Sequence, residues 1–235
     1  MHFNNEKLLV IAPHPDDEIL GCFSLINNIK KNGGKVYVQI LTLGGYTRTD
    51  SIKVKKQTWR KEFEKVAKVM DIDGYDIMFY SDKIKWLDRI PVSQLIGYIE
   101  SKSKISLFKI KPTIVAIPTI FSTHQDHTQA YKASIAALRN NPHQDYSTPK
   151  LVLSYESPEY NFWSPYIEFG NFSPNFYIKI SREDLNKKNL ALKIYKTQIK
   201  KGKRGDKYIK ELCIMRGNEI GSEYAEAFHI HRFSL

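Results

Sequence analysis

The chain has 235 residues, with 36 basic against 25 acidic side chains and a formal charge of +11. That length fits one large domain or a domain with an appended lobe, and 42% hydrophobic content supplies a core. No apolar run approaches the roughly 20 residues of a membrane span, and the N-terminus lacks the basic-then-apolar layout of a secretory signal, so a cytoplasmic protein is expected. Cys22 and Cys213 fall in apolar helical patterns and read as reduced core thiols. The basic excess is dispersed, which reads as solvated faces or as attraction to an anionic substrate, a membrane surface or nucleic acid. No zinc-finger or RNP-like motif accompanies it, so no nucleic acid partner is expected.

Leu8–Ala12 is an apolar run without alternation, the pattern of a parallel strand buried on both faces. It ends in Pro13-His14-Pro15-Asp16-Asp17-Glu18. A helix over Glu18–Lys31 follows, with Ile19, Leu20, Phe23, Ile26 and Ile29 near helical spacing, stopping at Gly33-Gly34. Lys35–Thr42 reads as a second strand, followed by a polar, glycine-bearing loop to Ser51. Val54–Met70 predicts a helix with Trp59, Phe63, Val66 and Met70 on one stripe, and Asp76–Phe79 a third strand. Val92–Ser101 is expected as a helix, with Ile105–Phe108 as its extension or a separate turn. Thr113–Pro118 is another buried-strand run; His124-Gln125-Asp126-His127 comes after it, then a helix over about Thr128–Arg139.

Strands alternating with helices predict an α/β fold, a Rossmann-like and mostly parallel sheet flanked by helices. One domain over 1–235 is expected, with a core at 1–150 and an irregular, aromatic-rich C-terminal lobe at 151–235. In that lobe Leu151–Tyr155 and Phe176–Ile180 read as strands, and the segment between them is dense in aromatics, Tyr160, Phe162, Trp163 and Tyr166 among them. These rings suit a sugar platform, a lid or an interface between copies of the chain equally. Ser181 is placed as the cap of a helix through Leu185, Leu192, Tyr195 and Ile199, and Lys207–Arg216 as a short helix capped by Gly217.

Two unrelated strand ends thus each deliver His and Asp. Burying an uncompensated carboxylate costs several kcal/mol, roughly, so acids beside a core strand call for a cation. His14 and Asp17 are three apart across a strand-to-helix turn and can face one point, and His127 follows the other strand end. Two imidazoles and one carboxylate are a usual catalytic set for Zn2+, with a position left open; the same set suits Fe2+ or another divalent metal. Glu18 is read as structural, an acid in a first helical turn.

These residues carry a resemblance. Ala12-Pro13-His14-Pro15-Asp16-Asp17-Glu18 resembles the A-H-P-D-D-E signature of the PIG-L/LmbE-like de-N-acetylases, with an added Pro before the His. His124-Gln125-Asp126-His127 is similar to that family's H-x-D-H signature. Arg60, Glu62 and Ala67 resemble its R-x-E-x-x-x-A helix with a slight shift, and Arg216-Gly217 with Tyr224–Phe228 its R-G and Y-A-E-A-F. The resemblance implies a zinc-dependent hydrolase that removes acetyl from an N-acetylated sugar. It implies His14, Asp17 and His127 as metal ligands, Asp16 as general base and His124 positioned by the Asp126 carboxylate.

General chemistry supports those roles. An amide is a poor electrophile, and zinc can lower the pKa of a bound water to about 7 and polarise a carbonyl. Asp16 adjoins a ligand without being one, and a protonated His124 suits the developing oxyanion. Whether His124 or Asp16 protonates the leaving amine is open at this stage, as is an exchange of ligand role between His124 and His127. The chain departs from the family at Thr42-Leu43-Gly44-Gly45-Tyr46-Thr47-Arg48, where others commonly carry T-D/N-G. Arg48, Arg60 and Trp163 are candidate substrate contacts. Hydrolysis of another acylated amine and a non-catalytic anion-binding module are the alternatives.

Overall fold

The computed structural model describes residues 3–43, 56–79, 86–140, 148–158, 170–198 and 206–234. Strands β1 (Lys7–Ala12), β2 (Lys35–Thr42), β3 (Gly74–Phe79), β4 (Ile114–Pro118) and β5 (Leu151–Tyr155) run parallel. Strand β7 (Ala225–Phe233) runs antiparallel to both its neighbours, β5 and β6 (Phe176–Lys179), and completes a seven-stranded sheet in the order β3-β2-β1-β4-β5-β7-β6. Among the described residues the α-helices are α1 (Asp17–Lys31), α2 (Lys56–Val69), α3 (Val92–Gly97), α4 (Leu107–Ile110), α5 (Gln125–Ala137), α6 (Arg182–Ile194) and α7 (Asp206–Asn218).

The central strand explains the layering. Leu8, Val10 and Ala12 of β1 enter a core shared with α1, α2, α6 and α7, while Leu9 and Ile11 enter a second core with α3 and α5. All five are sealed from solvent. Each fully buried leucine or isoleucine contributes about 1.5–3 kcal/mol, so a strand apolar on both faces is stable only between two helical layers. The expected α/β sheet flanked by helices is therefore present. Cys22 and Cys213 are free and buried, as read from their apolar surroundings.

Connections from β1 run outward through β2 to β3, and those from β4 run the other way to β5. The order reverses between β1 and β4, so the loops leaving their carboxyl ends diverge and leave a crevice. Those two loops carry the two His/Asp signatures.

Four local expectations are corrected. Helix α5 starts at Gln125, not near Thr128, because His124 takes the N-cap and its ring accepts the Asp126 amide at 3.2 Å; His127 thus belongs to the first turn of a helix. The helix expected over 92–101 is α-helical to Gly97 and continues as a π turn over Tyr98–Lys102. Gly217 lies inside α7 instead of capping it. A Cβ there would come within 2.6 Å of the Ser222 carbonyl, so glycine allows close approach of the following turn. The C-terminal segment gives β7, inserted between β5 and β6, although its Tyr224–Phe228 stretch was read only as a family motif.

Candidate metal centre

The turn after β1 is pinned from two sides. The Thr42 amide donates to the Pro13 carbonyl at 3.0 Å, and the His14 amide donates to Asp17 Oδ2 at 3.0 Å. Asp17 Oδ2 then lies 3.6 Å from His14 Nδ1 and 3.5 Å from His127 Nε2. One ligand atom from each of His14, Asp17 and His127 falls within 4.8 Å of the others, the spacing of groups that share an ion. The candidate ligands from two strand ends do meet.

Each imidazole is also held from behind. His14 Nε2 bonds Asp126 Oδ2 at 2.8 Å, and Asp126 Oδ1 accepts the Leu87 amide at 2.6 Å. His127 Nδ1 meets Ser157 Oγ at 3.1 Å. With Nδ1 donating to the hydroxyl, the His127 lone pair is on Nε2, facing Asp17. Partners of this kind fix the tautomer and aim of a metal-binding histidine.

The electrostatics match that arrangement. Burial pushes His127 down to about 4, with the neighbouring His14 and His124 assisting against the pull of Asp17, so the ring is neutral at pH 7. Burial would raise Asp17, but His127 and His14 outweigh it and hold the carboxyl far below its ordinary range. His14 goes the other way: burial disfavours its charge, yet bonds to Asp126 and Asp17 raise it to about 9. A divalent cation competes for the electron pair that holds this proton.

Asp16 is the N-cap of α1 with φ 104°, a left-handed backbone rarely tolerated outside glycine. Such strain is characteristic of functional positions, where the surroundings must hold it in place. Here the Asp16 amide donates to Glu18 Oε2 at 3.0 Å, and Glu18 Oε1 accepts the Tyr195 hydroxyl. Burial raises Glu18 to about 7 against the Tyr195 bond. Asp16 itself is buried and stands outside the His14–Asp17–His127 group.

The link between His124 and Asp126 differs from expectation. The Asp126 carboxylate serves His14 and Leu87, and Asp126 reaches the His124 ring through its backbone amide. That amide fixes the orientation of the His124 ring. Its ring lies 5.0 Å from His14 and 6.0 Å from Trp86, centroid to centroid. Arg60 is exposed on α2, where its Nε donates to Glu64 at 2.8 Å. Arg48 and Trp163 lie outside the described residues, as does most of the aromatic stretch. Ser157, Leu87 and Tyr195 were not anticipated. The one available signal was a polar Glu156-Ser157 pair directly after an apolar strand.

Comparison with known proteins follows the same lines. The family model described as PIG-L: GlcNAc-PI de-N-acetylase matches residues 9–138, more than half of the chain. An Escherichia coli (strain K12) relative, the uncharacterized deacetylase YaiS, is 25% identical over 195 residues, covering 81% of this chain and 90% of its own. Among solved structures, N,N'-diacetylchitobiose deacetylase from Pyrococcus horikoshii superposes with a TM-score of 0.75 at 20% identity, covering 96% of this chain and 83% of that one. GalB, a 4-carboxy-2-hydroxymuconate hydratase from Pseudomonas putida, does so with a TM-score of 0.69 at 17% identity over 98% of both chains. These two structures show the fold alone. With the family model spanning both strand-end signatures, the chain belongs to the PIG-L de-N-acetylase family.

Proposed function

We propose that the chain is a metal-dependent hydrolase that removes acetyl from an N-acetylated amino sugar or a conjugate of one. The observation that carries this reading is the convergence of His14, Asp17 and His127, with a separate acid, Asp16, beside them in the chain. The donors fit a divalent ion: two imidazole nitrogens and one carboxylate oxygen, both rings held from behind by Asp126 and Ser157. That set suits Zn2+ best and also suits Fe2+. When bound, such an ion supplies Lewis acidity that makes water a better nucleophile and an amide a better electrophile.

The chain's own residues do the remaining work. Asp16 takes the proton of the attacking water. His124 donates to the acetyl oxygen as that atom gains negative charge. Asp16, protonated by the water it has activated, returns that proton to the leaving amine. The products are acetate and a free amine. The Leu87 amide, by fixing Asp126, keeps His14 aimed while charge moves through the site.

A sugar substrate is supported by the family description, while the hydratase with the same fold shows that fold does not choose the reaction. The test is acetate release from a panel of N-acetylated sugars and other acylated amines, with metal removed and restored. Release from a sugar that stops on chelation and returns with Zn2+ or Fe2+ supports the proposal. Release that persists after verified metal removal overturns it, and release only from a non-sugar amide overturns the substrate class.

A further inference from the structure

The Arg216-Gly217 pair has no part in the chemistry above, yet its arginine is almost fully buried. Its guanidinium grips one carboxylate as a fork: Nε donates to Glu156 Oε2 at 3.0 Å and Nη2 to Glu156 Oε1 at 2.5 Å. Nη1 donates to Glu219 Oε1 at 2.7 Å, and the charge lies 5.8 Å from the centre of the Phe172 ring. Buried ion pairs are weak evidence for stability, because desolvation offsets most of their attraction. The fork does fix direction, and the residue after Glu156 is Ser157, whose hydroxyl meets the metal-facing histidine His127.

This segment needs fixing. The β4–β5 ladder ends at Tyr155, and residues 156 and 157 lie beyond its last pair. Three contacts replace the ladder. The Tyr155 hydroxyl donates to the Ile11 carbonyl of β1 at 2.9 Å. The Glu156 carbonyl packs against α1 at Gly21, where a Cβ would sit 2.4 Å from it. Beyond Ser157, the Tyr208 hydroxyl of α7 donates to the Pro158 carbonyl at 2.8 Å. Helix α7 therefore holds the chain on both sides of Ser157, through Arg216 before it and Tyr208 after it.

We propose that Arg216 is a positioning residue for the metal centre, acting through Glu156 and Ser157 on His127. The inference rests on the metal-dependent reading above and adds to it a residue that touches neither ion nor substrate. Lysine at 216 would keep the charge and lose the fork.

Zn2+ affinity of the full-length chain, measured by competition with a chromogenic chelator, tests it. The variants are Arg216→Lys, Glu156→Gln, Ser157→Ala, Ser157→Thr and the double variant Arg216→Lys/Ser157→Ala, each with a metal-free melting curve. Arg216→Lys, Glu156→Gln and Ser157→Ala should each weaken Zn2+ binding about 10- to 100-fold. Ser157→Thr should restore most of it, and the double variant should bind about as Ser157→Ala does. A purely structural arginine would lower the melting temperature and leave Zn2+ affinity unchanged in Arg216→Lys, which overturns the inference; so do losses that multiply in the double variant. If Arg216→Lys does not fold, Glu156→Gln decides by the same criterion. A wild-type chain that binds no Zn2+ refutes the metal reading itself, whereas wild-type binding with unaffected variants refutes only the role of Arg216.

Discussion

At the scale of single residues, the neighbours Asp16 and Asp17 sit in different surroundings. Asp17 Oδ2 is committed to His14 and His127, whereas Asp16 stands outside that group on a strained backbone. Asp16→Asn is expected to retain bound metal and lose about 10²- to 10⁴-fold in turnover, checked by metal content alongside kcat. His127→Ala is expected to lose the metal, while His124→Ala keeps it and loses about 10²- to 10³-fold in kcat. The reverse pattern of metal content would exchange the roles of these two histidines. That His14, Asp17 and His127 could meet was legible, because strand ends and signature spacing are local. Ser157 was not, since its contact spans 30 positions and serine carries no distinguishing pattern. The partner of the Asp126 carboxylate was misread because it depends on where α5 begins, and polar residues in a first turn hide that boundary.

At the scale of elements, a buried lysine ties three of them together. Lys188 of α6 donates to the Leu20 carbonyl of α1 at 2.8 Å and to Glu226 Oε1 of β7 at 2.6 Å. Glu226 Oε2 accepts both the amide and the hydroxyl of Ser24 at 2.7 Å. Lys188→Met strands a buried carboxylate, so urea unfolding should show a loss of about 3–5 kcal/mol, part of which Lys188→Met/Glu226→Gln recovers. Asp184 joins α6 to α1 in a more exposed way: its carboxylate accepts from Lys31 and Asn27, and its amide donates to the capping Ser181 Oγ. Burial would raise its pKa, but bonds from Lys31, Ser181 and Asn27 outweigh that and lower it. Its stabilisation is therefore present above the unfolded value of about pH 4 and is lost as pH falls through the lower folded value. Asp184→Asn should flatten the acid limb of a stability–pH curve and leave the neutral region nearly level. The apolar strands and α1 were readable from periodicity. The place of Lys188 was not, because nothing local separates it from the adjacent Lys187.

At the scale of the whole molecule, the reversal of strand order between β1 and β4 is what creates a site. Alternation of strands and helices announced a parallel sheet, but β7 between β5 and β6 is a long-range pairing that periodicity does not specify. That insertion carries α7 against the exit of β5, where Arg216 grips Glu156. The +11 charge remains a property of the surface and does not by itself select a partner. The central claim is that one cation is shared by ligands from both strand ends. Anomalous diffraction at the zinc edge, from crystals grown with Zn2+, tests it most directly. The account predicts a single strong peak about 2.0–2.2 Å from His14, Asp17 and His127, with Asp16 uncoordinated. A map with no peak between those three side chains, or with Asp16 coordinated in place of Asp17, would contradict it.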